Sequence, residues 1–261
     1  IIENFLKIAE IPPTMKMVEI QTEMIEKYIA SLDARILAPK TINNSLILLR
    51  SLFNRAIEHG YLYKNPAKIV KLRKVTKGKF PRFLEKTEIR KLLKFCTPRI
   101  QKMVIFILHT FLRIQELSHL TWNDIDFKRK LIYVREKPDF KIKDSQERNI
   151  PIHPKILKML IEMKKTVKSK YVFTSSAGKI ISDDNERKRY LTPAAKKVGV
   201  YFKGFGLHTF RHTGLSYLAM AGVDIETIRD LAGHESLVTT QKYMHLSPKH
   251  RNRAIASIKI F

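Results

Sequence analysis

The sequence predicts a mainly α-helical chain of two domains, with one small antiparallel β-hairpin set into the second. Three observations carry this. Apolar residues recur at three- and four-residue spacing through most of the chain, the pattern of helices with one buried face. Residues 131–134 and 148–152 read as short strands, and they flank the polar stretch 135–147 as hairpin arms would. Lys68, Lys71, Arg73, Lys74, Lys77 and Lys79 follow one another with no acid between them, separating an all-helical block from a mixed one. The predicted boundaries are a helical domain over 1–72, a basic linker over 73–80 and a second domain over 81–261.

In the first domain the clearest helix begins near Thr41 and ends at Gly60, an N-cap and a C-cap by residue type. Ile42, Leu46, Leu49, Phe53, Ala56 and Ile57 form its apolar face. Arg50 and Arg55 fall away from that stripe, where they either touch phosphate or keep the helix soluble. Asn65-Pro66 ends the segment that follows. In the second domain, helices are expected over about 85–96, 99–109, 113–120, 154–165, 186–197, 208–221, 224–231 and 236–243, with a last one over 247–260. Tyr171-Val172-Phe173 is a candidate third strand.

Fifty Lys and Arg stand against 24 Asp and Glu among 261 residues, a formal net charge of +26. So large an excess speaks to partners rather than fold, and nucleic acid is the polyanion it fits. An anionic membrane would ask for a basic amphipathic anchor or an apolar run of about 18 residues, and neither occurs. Ile1-Ile2-Glu3 opens no secretory leader. Without an initiator Met, the chain reads as one that has lost its natural N-terminus. The single cysteine, Cys96, excludes an internal disulfide framework and a Cys-rich zinc site, and its apolar surroundings predict a packed thiol. Together these features fit a cytoplasmic, nucleoid-associated protein.

Attack on a phosphodiester by a phenol needs a guanidinium to neutralise the phosphate, an imidazole to move protons or bind oxygen, and the phenol as covalent carrier. The end of the chain holds these in order: His208-Thr209-Phe210-Arg211-His212, then Leu231-Ala232-Gly233-His234, then Tyr243 nine residues on. His208 and Arg211 are three apart at a helix start and share a face, and the planar fork of Arg211 can bond two phosphate oxygens. Arg113 and Glu116 are also three apart, so the carboxylate can hold that guanidinium in one rotamer. His208 and His212 are four apart, which would suit a metal. Yet no Glu follows His208 and no carboxylate trio stands nearby, so no metal is expected. His212 reads instead as a core residue or one packed behind the reacting groups. Lys71, Arg73 and Lys74 join Arg50 and Arg55 as candidate contacts to a nucleic-acid backbone.

Together, His208-x-x-Arg211-His212, Leu231-x-Gly233-His234 and Tyr243 resemble the C-terminal signature of the tyrosine recombinases, the family of phage and transposon integrases and the Xer recombinases. Arg113-Ile114-x-Glu116-Leu117 is similar to that family's first arginine motif, and Trp122-x-Asp124-Ile125 follows as it does there. Family members carry a catalytic lysine eight residues before the proline that closes the hairpin. Counting back from Pro151 gives Lys143, with Lys141 as its neighbour. The first domain, with Thr41-x-Asn43 and Asn65-Pro66-Ala67, is similar to the family's SAM-like core-binding domain.

The resemblance implies a catalytic domain of the kind shared with type IB topoisomerases, and two domains closing on a duplex as a C-shaped clamp. It implies a site-specific DNA recombinase in which Tyr243 forms a 3′-phosphotyrosyl bond and Arg113 and Arg211 clamp the nonbridging oxygens. Lys143 would be the general acid, His208 would help activate the phenol, His234 would bond the phosphate and Glu116 would orient Arg113. No metal, ATP or other cofactor is implied. The implied partners are double-stranded DNA with inverted-repeat core sites and further copies of the chain. These would assemble as a tetramer on DNA by exchange of a C-terminal helix carrying Ile255, Ile258, Ile260 and Phe261.

Two positions depart from the family pattern. Thr110-Phe111 stands where Thr-Gly is usual, and Phe111 takes positive φ only at a cost, so a different local backbone is expected. Asp144-Ser145 replaces a common glycine at the hairpin tip. A type IB topoisomerase would share the chemistry without joining two sites, but the first domain looks like a recombinase's. A non-catalytic DNA-binding protein would have lost one or more of Arg113, Lys143, His208, Arg211, His234 and Tyr243. A metal-dependent nuclease would need an acidic cluster that is not apparent. Integration, excision and dimer resolution all stay open, as does the DNA sequence recognised.

Overall fold

The structure, a computed structural model, describes residues 1–75, 82–142 and 147–244. Expectations for Lys143, for the hairpin tip at Asp144-Ser145, for the linker past Val75 and for a helix over 247–260 lie outside the described residues. The chain divides into two compact units, Ile1–Lys79 and Phe80–Phe261. No helix among the described residues is long and apolar enough to cross a membrane.

In the first unit, α1 (Ile2–Ile8), α2 (Thr22–Ala34) and α3 (Pro39–Glu58) pack around one apolar core. The α3 stripe is the one the spacing predicts, with Ile42, Leu46, Leu49, Phe53 and Ala56 buried and Ile57 half-buried. The helix starts two residues before Thr41, because Pro39 brings the φ of a first-turn residue ready-made. Phe5 meets Tyr28 and Phe53 edge to face, at centroid distances of 5.5 and 6.5 Å.

The segment leaving α3 has no ladder of its own, so side chains must satisfy its backbone. Asn43 exchanges two hydrogen bonds with the main chain of Arg73, at 2.8 and 2.7 Å. Arg50 donates to the carbonyls of Ala67, Lys68 and Val70, at 3.1, 3.2 and 2.5 Å. Arg73 itself turns to Asp33, 2.5 Å away. The guanidiniums of Arg50 and Arg73 are thus engaged within the unit, whereas Arg55, Lys71 and Lys74 stand exposed.

The second unit runs α4 (Lys86–Lys94), α5 (Pro98–Thr110), α6 (Ile114–Ser118), β1 (Ile125–Asp126), β2 (Leu131–Val134), β3 (Arg148–Pro151) and α7 (Pro154–Thr166). It continues through α8 (Asp183–Glu186), a π-helical turn (Arg187–Leu191), α9 (Thr192–Lys197), α10 (Leu207–Ala221), α11 (Ile225–Ala232) and α12 (Leu237–Met244). The sheet is antiparallel in the order β1-β2-β3, with Ile132 opposite Ile150 and Val134 opposite Arg148. The hairpin therefore forms as predicted.

The third strand does not come from 171–173. Val172 and Phe173 are buried in the core, and Tyr171 makes only an isolated bridge with Thr121, while Ile125–Asp126 supplies the edge strand. Three apolar residues in a row can be buried without a ladder. Nor is 186–197 one regular helix. Pro193 has no N–H to give to the turn behind it, and that turn is wound as a π-helix.

What positions the site is the contact of α10 on α5. Gly214 brings the two backbones together: a Cβ there would overlap the carbonyl oxygen of Leu108 and lie 2.8 Å from the Phe111 ring. Gly214→Ala is expected to lower the stability of the second unit by roughly 2–3 kcal/mol, or about 5–10 °C in melting temperature. An unchanged thermal unfolding curve for this variant would show that the crossing tolerates the extra methyl.

Candidate active site

Arg113 is the N-cap of α6, and the spacing of its motif follows from capping. Glu116, at the third helical position, returns its carboxylate to the Arg113 amide at 2.8 Å and takes a second bond from Arg113 Nη1 at 3.1 Å. Glu116 is only 4% exposed. On its other side it receives a two-pronged bond from Arg148, Nη1 to Oε1 at 3.0 Å and Nη2 to Oε2 at 2.7 Å. Burial works against the charged carboxylate, yet the hydrogen bonds and charge of Arg148, with the Arg113 amide, hold it below the usual carboxylate range.

Three guanidiniums meet the carboxyl end of α11. Leu231 O accepts from Arg148 Nε at 3.1 Å, Ala232 O from Arg211 Nη2 at 2.7 Å, and Gly233 O from Arg113 Nη2. The two carbonyls before them are closed by the turn itself, His234 N to Arg229 O and Gly233 N to Asp230 O, both at 3.1 Å. Gly233 is required twice over: its φ is +63°, and a Cβ there would come within 2.6 Å of Arg148 Nη1. Arg211, 4% exposed, also donates to the carbonyl of Phe111. Burial pulls the Arg211 pKa down to about 10, which leaves it charged at neutral pH.

Phe111 has the positive φ, +55°, that glycine would take without strain. Phe111 takes this conformation all the same, against the expectation from its residue type. For a non-glycine residue it costs about 1–2 kcal/mol. The ring offsets this by being buried with Leu215, Ala219, Ile228, Ala232 and Tyr243.

Arg113, His208, Arg211, His212, His234, Glu235, Ser236 and Thr239 line one cavity of about 370 Å³. His234 is buried with Nδ1 2.9 Å from Thr240 Oγ1. Tyr243, on α12, is 3% exposed, and its ring lies parallel to that of His234 at 6.4 Å. Its hydroxyl meets Nδ1 of His212 at 2.5 Å rather than His208, which is exposed on the same face of α10 one turn earlier. Burial and the nearby cations push His212 down to about 4 and His234 down to about 3, so both rings are neutral at pH 7. Burial also lifts the Tyr243 phenol to about 12, against the pull of Arg211. The phenol is therefore protonated and hydrogen-bonded to His212.

Of the residues singled out in the sequence, Arg113, His208, Arg211 and His234 share the cavity, with Glu116 behind it and Tyr243 packed alongside. Arg148 and the His212–Tyr243 pair escaped the sequence reading. His212 had left a signal, since it shares a helical face with His208. Arg148 had left none beyond its place at the head of β3, because its partners lie far away along the chain. Among the described residues, no three His, Cys, Asp or Glu side chains converge as metal ligands would.

The shifts carry a pH signature. The folded pKa values of His212 and His234 lie below the ordinary 6.5, so the unfolded state binds more protons and stability falls as pH drops below about 6.5. Glu116 acts in the same direction below about 4.5. Denaturant unfolding should show a loss of roughly 1–3 kcal/mol between pH 7 and pH 5. That slope should flatten in the His212→Asn, His234→Asn double variant; an equal slope there would place its source elsewhere.

Residues 82–250 match the phage integrase family, and residues 1–76 match the phage integrase SAM-like domain. Tyrosine recombinase XerC of Thermodesulfovibrio yellowstonii is 31% identical over 95% of this chain and 84% of its own length. Tyrosine recombinase XerA of Thermococcus onnurineus is 29% identical over 90% of this chain and 81% of its own. Among solved structures, the Tn1549 transposon integrase in complex with a circular intermediate DNA has a TM-score of 0.77 at 20% identity, covering 98% of this chain and 92% of that one. A lambda integrase dimer bound to a core site has a TM-score of 0.70 at 18% identity, covering 91% and 87%. Those two likenesses carry the fold. The family match over most of the length and the shared sequence carry the relationship: the chain belongs to the phage integrase family and is a tyrosine recombinase of the integrase and Xer type.

Proposed function

We propose that Tyr243 attacks a scissile phosphate of double-stranded DNA held between Arg113 and Arg211. One observation supports this above the others. Two arginines and three histidines from α6, α10 and the end of α11 line a single cavity beside a buried phenol. In the proposed step the phenol oxygen bonds to phosphorus and the 5′-oxygen leaves, so the strand is held as a 3′-phosphotyrosine. The phenol proton passes to His212 Nδ1, already its hydrogen-bond partner. Arg113 and Arg211 meet the charge that grows on the nonbridging oxygens, and His208 and His234 bond the phosphate. Lys143, carried over from the hairpin motif, protonates the leaving oxygen. The ester's energy stays in the phosphotyrosine, so a 5′-hydroxyl from a partner strand reverses the attack with no call for ATP or another cofactor.

The first unit serves as core-binding domain over 1–72, the stretch 73–80 as linker, and 81–261 as catalytic domain. The target is core sites in inverted repeat on cytoplasmic, nucleoid DNA. The chain assembles there as a tetramer by exchange of its C-terminal segment, whose sequence includes the apolar Ile255, Ile258, Ile260 and Phe261. The net charge of +26 adds affinity that is independent of sequence and falls steeply with salt.

Covalent capture tests the assignment. The protein is mixed with fragmented host genomic DNA in EDTA, denatured in detergent, and the attached DNA sequenced. Recovery of sites with inverted-repeat arms, abolished by Tyr243→Phe, is the expected result; attachment that survives the substitution would mean another nucleophile. On a recovered site, His212→Ala should slow attachment by roughly 10²-fold. An unaltered rate there would remove His212 from the proton transfer.

A further inference from the structure

The geometry points to Arg148 as a positioning residue for the phosphate clamp: it sets Arg113 and the loop bearing His234 without touching DNA itself. This inference rests on the proposed function. Each edge of the Arg148 guanidinium is in use, Nε on Leu231 O and the two Nη atoms on the two oxygens of Glu116. Its side chain is 7% exposed, and it does not line the cavity. Buried and off the cavity wall, such a group lacks the reach to meet a phosphate there.

It has, however, a hold on the groups that do. Glu116 is shared, receiving Arg148 on one side and the amide and Nη1 of Arg113 on the other. Gly233, whose carbonyl takes Arg113 Nη2, sits directly over the Arg148 guanidinium. One side chain therefore holds the carboxylate that Arg113 uses and, through Leu231 O, the turn whose Gly233 carbonyl Arg113 also uses. The same contact on Leu231 O ties down the turn that ends in His234. Arg148 can do this because it rides on β3, paired with Val134 and next but one to the buried Ile150. Its anchor is a sheet and not a loop.

Without Arg148, Glu116 would turn its whole charge on Arg113, and the end of α11 would lose one of its caps. A displacement of about 1 Å in such a clamp is enough to cost around 10²-fold in rate. The loss should depend on the charge of the phosphate, since charge on the nonbridging oxygens is what Arg113 meets.

The test uses the full chain and a nicked duplex carrying a site recovered by covalent capture, in two forms. One has the normal phosphate; the other has a methylphosphonate, in which a methyl group replaces one charged oxygen. Arg148→Met should slow attachment to the phosphate substrate by about 10²-fold and Arg148→Lys by about 10-fold, with DNA affinity within about 3-fold of wild type. On the methylphosphonate both deficits should shrink below about 5-fold. Equal deficits on the two substrates, together with a lowered melting temperature, would mean a purely structural ion pair and overturn the inference. A salt dependence of binding shallower by about one unit would instead make Arg148 a direct phosphate contact, and overturn it too. Should Arg148→Met fail to fold, Arg148→Lys carries the same comparison between substrates. A wild-type chain that attaches to neither substrate through Tyr243 sinks the parent reading, and this inference with it.

Discussion

Everything in the second unit turns on the carboxyl end of α11. A helix leaves its last carbonyls without partners and its negative end exposed. Here three successive carbonyls are met by three arginines from β3, α10 and the cap of α6. The arrangement solves two problems together. The helix end is capped, and three cations that would repel one another are held in place by oxygen atoms and by the one carboxylate of Glu116. Two of those arginines face the cavity, so the same bonds that complete the fold set where their guanidiniums stand.

That concentration of positive charge also governs the groups around it. Burial first, and the neighbouring cations with it, favour a neutral imidazole over a charged one, and His212 and His234 are neutral as a result. The phenol of Tyr243 stays protonated because burial outweighs the nearby cation. An anion between the arginines supplies the opposite charge, which favours a protonated imidazole. In the proposed step, a phosphate bound there would make His212 a better acceptor for the phenol proton.

The first unit shows why a basic composition does not by itself name the residues that use it. Arg50 and Arg55 lie on the same helix, and both fall away from its apolar stripe. Arg50 is spent on the carbonyls of Ala67, Lys68 and Val70, which have no other regular partners, while Arg55 is left at the surface. The difference lies in what the chain does seventeen residues later. Helical periodicity carries no information about it.

Local rules accounted for much of this protein. Amphipathic spacing placed α3 and its buried face, the residue types placed the hairpin arms, and the three-residue spacing paired Arg113 with Glu116, which the structure shows to be a cap as well. The order of Arg113, His208, Arg211, His234 and Tyr243 was enough to propose the chemistry. Where the local rules failed, non-local contacts had decided. Val172 and Phe173 found burial without a ladder, and Phe111 kept a glycine's φ because the cluster around Tyr243 took up its ring. The sequence by itself determined which side chains were present and on which helical faces they lay, since those depend on neighbours three and four residues away. Only the tertiary structure decided that His212 holds the phenol and that Arg148 shares Glu116 with Arg113. Those contacts join residues 31 and 32 positions apart in the chain, and it is packing of separate elements that brings them within hydrogen-bond reach.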